Sequence, residues 1–416
     1  MTPNPPLSDE ERARGRRLSI ASNVPSMVFW TAFTGQLPTL ALVSLGASEA
    51  LIGAQSGLQM GLAAIQLPAL RLISWFPKRS LLISGQALAQ LGSLPLVFFA
   101  SISALGPDAA VAVAFGSLAL TALGLDLADL VWFPLLRGYV DPENAGRFFG
   151  ANRTAWHAAM IVFFVGAQLW LARHESGFGL LFGVAWCLGV LRIALITRLP
   201  ERSERGGERL RARDALALLR RDPRLRRYMT GSIWGQAMRF ATLPFVLVML
   251  RRVLGLSNSQ AVFTTVAVYV GGLVSLYPWG VVADRLGAYF VFRTAALGLG
   301  ALYLSLAFLE PAGAATVWIA VAFFFAHAVL AAGHGMADTR LLFELTPADA
   351  PAKALVVTAV VEGTLCGLAP ALAGAVLDPL LARAAEPLQV YHGFFAVSAL
   401  LVSLSFLPLR PFRRSA

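Results

Sequence analysis

The sequence is short of charge. Of its 416 residues only 14% are Asp, Glu, Lys or Arg, against about 25% in an ordinary soluble domain. Its length would allow two or three soluble domains, but so few charges could not coat their surfaces. Cysteine is also scarce. Cys187 and Cys366 are the only two, and both fall in apolar runs, which argues against a disulfide framework or a cysteine metal site. No nucleophile–base motif and no glycine-rich phosphate loop is present, so the sequence does not read as an enzyme and calls for no cofactor. The N-terminus lacks a short apolar run followed by a small-residue cleavage site. It has Pro3, Pro5 and Pro6, then Arg12, Arg14, Arg16 and Arg17, so the first apolar run is expected to remain as a membrane helix.

What is abundant is apolar sequence, 57% of the chain. A helix needs about 20 consecutive apolar residues to cross a bilayer. Runs of that kind are read at 20 to 45, 50 to 74, 81 to 104, 109 to 136, 149 to 172 and 178 to 198, and again at 228 to 250, 259 to 283, 290 to 309, 315 to 338, 353 to 377 and 389 to 409. The sequence therefore predicts an all-α membrane protein with twelve transmembrane helices.

Basic side chains resist translocation and collect on the cytoplasmic side. With the N-terminus inside, only Arg173, Arg251, Arg252 and Arg383 of the 34 basic residues fall on the far side, while Arg192, Arg239 and Arg293 lie within spans. Both termini are thus expected in the cytoplasm and the chain in the inner membrane. The net charge of +11 is accounted for by loops beside membrane spans and by attraction to anionic lipid headgroups, so nucleic acid is not an expected partner.

One long polar interruption, Leu199 to Arg227, falls at mid-chain, and its part from Asp214 to Pro223 reads as a short basic amphipathic helix on the inner leaflet. It divides the chain into a first six-helix half (1–199), a linker (200–227) and a second half (228–416). Leu45-Gly46-Ala47-Ser48 matches Leu254-Gly255-Leu256-Ser257, and Ala128-Asp129 matches Ala337-Asp338, both 209 residues apart; Leu37-Pro38 finds Leu243-Pro244 at 206. The halves read as two parallel six-helix repeats.

Two loops add motifs. Gly280-Val-Val-Ala-Asp284-Arg285-Leu-Gly287 follows the eighth span, and Asp141-Pro142-Glu143-Asn-Ala-Gly146-Arg147 follows the fourth. With the six-plus-six layout they resemble the major facilitator superfamily of secondary transporters, whose Gly-x-x-x-Asp-Arg-x-Gly loop occurs after spans two and eight. The first-half counterpart here, Arg71-Leu-Ile-Ser-Trp75-Phe-Pro-Lys78-Arg79, has Trp75 where Asp284 falls. The resemblance implies alternating access around a central site on spans one, four, seven and ten. It also implies that spans three, six, nine and twelve are peripheral, with Arg192 and Arg293 snorkelling from their inner ends.

An ionisable side chain inside a span is costly and normally faces the protein interior. By a rise of 1.5 Å per residue, Arg239 and Glu362 lie about 16 and 14 Å into a core of about 30 Å, near its midplane. Ser232, Gln236 and Arg239 share one face of span seven, and the guanidinium of Arg239 is suited to a carboxylate or phosphate. The plain structural alternative is an Arg239–Glu362 ion pair that holds the halves together. Glu362 is the first choice for proton coupling and Asp126 the second, because solvent access from either side would set the protonation of a carboxyl group in a poorly solvated cavity; a satisfied interhelical hydrogen bond is the alternative for Asp126. Trp30 and Thr34 on span one, Gln59 on span two, His157 on span five and His327 on span ten complete the expected solute contacts. His327, His334 and Asp338 share a face of span ten, but the two histidines are about 10 Å apart along the axis, too far to share a metal ion unaided. By analogy with the family's loop motif, Asp129, Arg153, Asp284, Arg285 and Asp338 are read as inner-gate charges, with fixed structural bridges as the alternative.

These readings converge on a monomeric secondary transporter for a small solute with an anionic or polar group, with protons as the coupling ion and membrane lipid as its surroundings. Proton-driven efflux of amphipathic drugs or toxic metabolites is the alternative, for which Trp30, Trp132 and Trp156 would supply apolar contacts. A non-transporting membrane sensor is the alternative outside transport.

Overall fold

The computed structural model describes residues 7–62, 75–140, 145–201, 221–345 and 351–414, and these described residues are helical, without a strand. In chain order the helices are α1 (Asp9–Thr34), α2 (Gln36–Ser44), α3 (Glu49–Gly61), α4 (Lys78–Val97), α5 (Phe99–Ser103), α6 (Pro107–Leu136), α7 (Ala145–Leu171) and α8 (Phe178–Ile196). After the linker come α9 (Pro223–Tyr228), a single π-helical turn (Met229–Ile233), α10 (Trp234–Arg252), α11 (Asn258–Leu286), α12 (Ala288–Leu306), α13 (Ala315–Leu345), α14 (Pro351–Arg383), α15 (Pro387–Ser403) and a 3₁₀ segment (Leu404–Arg414). Among the described residues ten helices are long and apolar enough to cross a membrane, and α11, bent by 44° next to Pro278, brings the number to eleven when its two parts are counted as one span. The second expected span is described only up to Leu62. The expected amphipathic linker helix up to residue 220, Arg71 and the stretch from Asp141 to Asn144 lie outside the described residues.

The repeated Leu-Gly-x-Ser signature encodes the same turn twice. Gly46 and Gly255 both adopt positive φ, 82° and 72°, a conformation that strains any residue with a Cβ. Two residues later a serine caps the next helix: Ser48 Oγ accepts the Leu51 amide at 3.3 Å, and Ser257 Oγ accepts the Gln260 amide at 3.1 Å. The side chain of Gln260 returns the bond to the Ser257 amide at 2.8 Å, closing a capping box.

The described helices fall into two compact units. One contains α1, α2 and α4 to α8; the other contains α3 and everything from α9 onward. In the first unit α4 lies along α6, and α1 packs on α7 and α8. The start of α4 is held by Glu201, whose carboxylate accepts the Lys78 and Arg79 amides at 2.7 and 3.1 Å. Beyond the end of α6, Tyr139 donates to the Pro200 carbonyl at 2.5 Å, and its burial pushes the phenol above its ordinary range, so it remains a neutral donor.

In the second unit α11 pairs with α13, α12 with α13 and α15, and α10 with α14. Helix α3, which by chain order belongs with the first six spans, lies along α14. Lipid supplies no hydrophobic drive for helices to associate, so close backbone approach over small residues takes its place. A Cβ on Gly57 would overlap the Gly367 carbonyl, and one on Gly374 would overlap the Glu49 carbonyl. The N-terminus of α3 is capped from α14: Asp378 accepts the Glu49 and Ala50 amides at 2.7 and 3.0 Å. Glu49 in turn accepts Arg252 at 2.5 Å and the Tyr391 hydroxyl at 3.2 Å.

Candidate functional site

In the second unit a buried polar network is assembled from α9 to α10, α13 and α14. Tyr228, Ser232, Gln236 and Arg239 recur every three or four residues along one face, and the π-helical turn that contains Ser232 lies among them. Such turns often mark functional positions. Asp338 on α13 accepts from three of those residues: Tyr228 at 2.6 Å, Ser232 through a short hydrogen bond, and Gln236 Nε2 at 3.3 Å. The same Gln236 nitrogen donates to Glu362 Oε1 on α14 at 2.7 Å, and Gln236 Oε1 accepts Arg239 Nη2 at 3.1 Å.

One primary amide therefore spends both protons on two carboxylates and its oxygen on a guanidinium. Buried carboxylates are costly unless satisfied by hydrogen bonds, and here neutral donors supply most of that satisfaction. Arg239 reaches the Ala331 carbonyl at 3.5 Å and lies 5.7 Å from the centre of the Phe240 ring. It has no carboxylate within ion-pair distance among the described residues. Two carboxyl groups, one amide and one half-buried guanidinium thus form a unit able to hold an anionic or hydrogen-bonding solute at Arg239 and a proton at Glu362.

This geometry corrects several expectations. Arg239 and Glu362 do not tie the halves together: they belong to the same unit, and the amide of Gln236 stands between them. Asp338 is not with the loop charges but buried in the network, because α13 runs on to Leu345 and leaves Asp338 well before the helix end. Asp284, by contrast, is exposed and pairs with Arg340 at 2.8 Å, which also holds Glu344 at 3.0 Å; Arg285 is exposed as well.

His327 is buried, 3.1 Å from the Tyr303 hydroxyl and stacked near Phe323. His334 is buried against Phe292, and neither of its ring nitrogens has a hydrogen-bond partner. Gln59 on α3 is half-buried, with an unpartnered amide oxygen.

In the first unit the expected residues are less closely knit. Thr34 donates to the Trp30 carbonyl at 2.8 Å within α1, and both side chains are half-buried. His157 is buried, 2.8 Å from the Arg153 carbonyl. Asp126 is 6% exposed and has a carboxyl oxygen without a partner; the interhelical hydrogen bond considered for it is not formed by that oxygen. Asp129 and Arg153 are both exposed and do not meet in an ion pair. The cation that interacts with Asp129 is Arg192 on α8.

Arg192 is the residue whose placement the sequence reading misjudged. It does not snorkel: it is 3% exposed, donates to Ser26 Oγ on α1 through a short hydrogen bond, and lies 5.6 Å from the centre of the Trp132 ring. Its Nε has no partner. The signal was available, since Phe182, Ala185 and Gly189 form a buried stripe at three- and four-residue spacing that leads directly to Arg192. Close by on α1, Asn23 donates to Asn152 on α7 at 3.1 Å. Tyr228 and Arg340, partners of Asp338 and Asp284, were also missed.

The family model described as Major Facilitator Superfamily matches residues 20–374. No curated protein matches the chain by sequence. Among solved structures, the nucleoside transporter NupG superposes with a TM-score of 0.70 at 15% identity, covering 97% of this chain and 99% of that one. A bacterial homologue of the iron transporter ferroportin, in an inward-facing state, superposes with 0.69 at 15% identity over 97% and 99%. A D-xylose-proton symporter superposes with 0.63 at 16% identity over 94% and 96%. At these identities the likeness is one of fold.

Proposed function

The chain belongs to the Major Facilitator Superfamily, and from that premise we propose that this multi-pass membrane transporter moves a small organic solute with an anionic or strongly hydrogen-bonding group by alternating access, coupled to protons. Arg239 meets the solute, Glu362 takes and releases the proton, and Gln236 links the two. The observation that supports this reading is the position of the Gln236 amide, hydrogen-bonded to Arg239, Glu362 and Asp338 together. A change of charge on Glu362 alters the field at Gln236 and, through its oxygen, at Arg239, which is the coupling that a symporter or antiporter needs. The fold is compatible with such chemistry, since one structure that shares it is of a D-xylose-proton symporter.

Asp126 is the second proton site in this proposal, buried with one oxygen unsatisfied. The protein works as a monomer in the inner membrane with both termini in the cytoplasm, the orientation that keeps nearly all loop arginines on one side.

A thermal-shift screen of the purified protein against metabolites identifies the solute, and uptake into proteoliposomes then tests the reading. Collapse of the proton gradient by a protonophore abolishes accumulation of the solute. Accumulation that persists with the protonophore present removes proton coupling from the account.

A further inference from the structure

A groove of about 590 Å³ opens between the first turns of α12 and the 3₁₀ segment, lined by Tyr289, Arg293, Thr294, Leu297, Phe406 and Arg410. Two guanidinium groups line one groove, and neither makes an ion pair among the described residues. Each is instead propped on a neighbouring ring, Arg293 with its carbon 5.7 Å from the centre of Phe290 and Arg410 with its carbon 5.6 Å from the centre of Phe406. Leu297 is 44% exposed, one turn further along α12.

Both arginines reach one groove without a carboxylate partner among the described residues, and in a membrane protein the natural counter-ion of such a pair is a lipid phosphate. We propose that this groove is a binding site for the headgroup of one anionic phospholipid, with the phosphate between Arg293 and Arg410 and an acyl chain running over Leu297. The arrangement is that of a basic pocket between transmembrane elements near a membrane surface. None of its lining residues belongs to the hydrogen-bonded network of Gln236 and Glu362. With the termini in the cytoplasm, the site faces the inner leaflet.

Native mass spectrometry of the purified full-length protein, supplied with synthetic phosphatidylglycerol or phosphatidylcholine, tests it. The wild type is expected to retain its first phosphatidylglycerol about 10- to 30-fold more strongly than phosphatidylcholine. The double variant Arg293→Gln, Arg410→Gln is expected to retain the two alike. Equal retention by the wild type, or a preference undiminished in the double variant, overturns the proposal. Displacement of the lipid by millimolar inorganic phosphate overturns it too, since the groove would then be a site for a soluble anion. Should the double variant fail to fold, Leu297→Trp fills the groove while keeping both charges; it is expected to lose the preference, and its retention there would sink the idea.

Discussion

The two repeats place polar groups at corresponding positions and use them differently. Asp129 and Arg153 of the first unit correspond, 209 residues on, to Asp338 and Glu362 of the second. In the second unit both members are drawn into one hydrogen-bonded network, joined by Gln236. In the first unit both are exposed, and Asp129 interacts with Arg192 from a different helix. Ser26 and Ser232 also correspond, at the spacing of 206 that aligns Leu37-Pro38 with Leu243-Pro244. Each serves a buried charge, Ser26 accepting from a guanidinium and Ser232 donating to a carboxylate. The same scaffold position can thus satisfy either sign, because a hydroxyl is both donor and acceptor. In the Gln236 network of the second unit neutral donors satisfy the buried carboxylates, and no carboxylate among the described residues pairs with Arg239. The first unit keeps its cation occupied and leaves a carboxyl oxygen of Asp126 and the Nε of Arg192 unsatisfied.

Substitutions can break this contrast. The largest expected effect is that of Arg239→Ala, which removes the charge that meets the solute: half-saturation for uptake should rise by about 30- to several-hundred-fold, the usual cost of deleting one side of a buried charged contact. An unchanged half-saturation would take Arg239 out of the site. Next is Gln236→Leu, which leaves acceptors on Asp338 and Glu362 and a donor on Arg239 without their amide; a loss of about 2 to 4 kcal/mol is expected from unsatisfied buried groups, read as a lower thermal midpoint in detergent.

Arg192→Met keeps the apolar stem but loses the Ser26 bond and the Trp132 contact, and about 1 to 3 kcal/mol should go with them. Arg293→Met, at a partly exposed arginine that makes no ion pair among the described residues, should stay within about 0.5 kcal/mol. Equal melting of these two variants would contradict the distinction between a buried and an accessible arginine. Asp378→Ala, which uncaps α3, falls between them at about 1 kcal/mol and should speed amide exchange at Glu49 and Ala50 more than at the middle of α14.

The helix periodicity and the rarity of charges made much of the central network legible before any coordinates. Ser232, Gln236 and Arg239 fall on one face by spacing alone, and Glu362 stands out because a carboxylate in an apolar run is expensive. Asp338 was misplaced because hydropathy ends a span where polar residues begin, whereas the backbone continues its hydrogen bonds: α13 extends seven residues past the expected end at 338. Tyr228 stands at the first position of the expected seventh span, and its bond to Asp338 joins residues 110 positions apart, which no local pattern signals. The bond from Asp378 to the start of α3 joins residues more than 300 positions apart, and no local pattern signals it. The Leu-Gly-x-Ser repeat was readable because both copies need a glycine at positive φ followed by a capping serine, a requirement of backbone geometry and not of distant contacts.

The central claim is that Glu362 carries the coupling proton while Arg239 holds the solute, and the most direct measurement is of solute-driven proton movement in proteoliposomes containing a pH-sensitive dye. Wild-type protein should change the internal pH when the solute is added, and Glu362→Gln should still bind the solute in a thermal-shift assay yet leave the pH unmoved. A Glu362→Gln protein that moves protons as the wild type does would contradict the account.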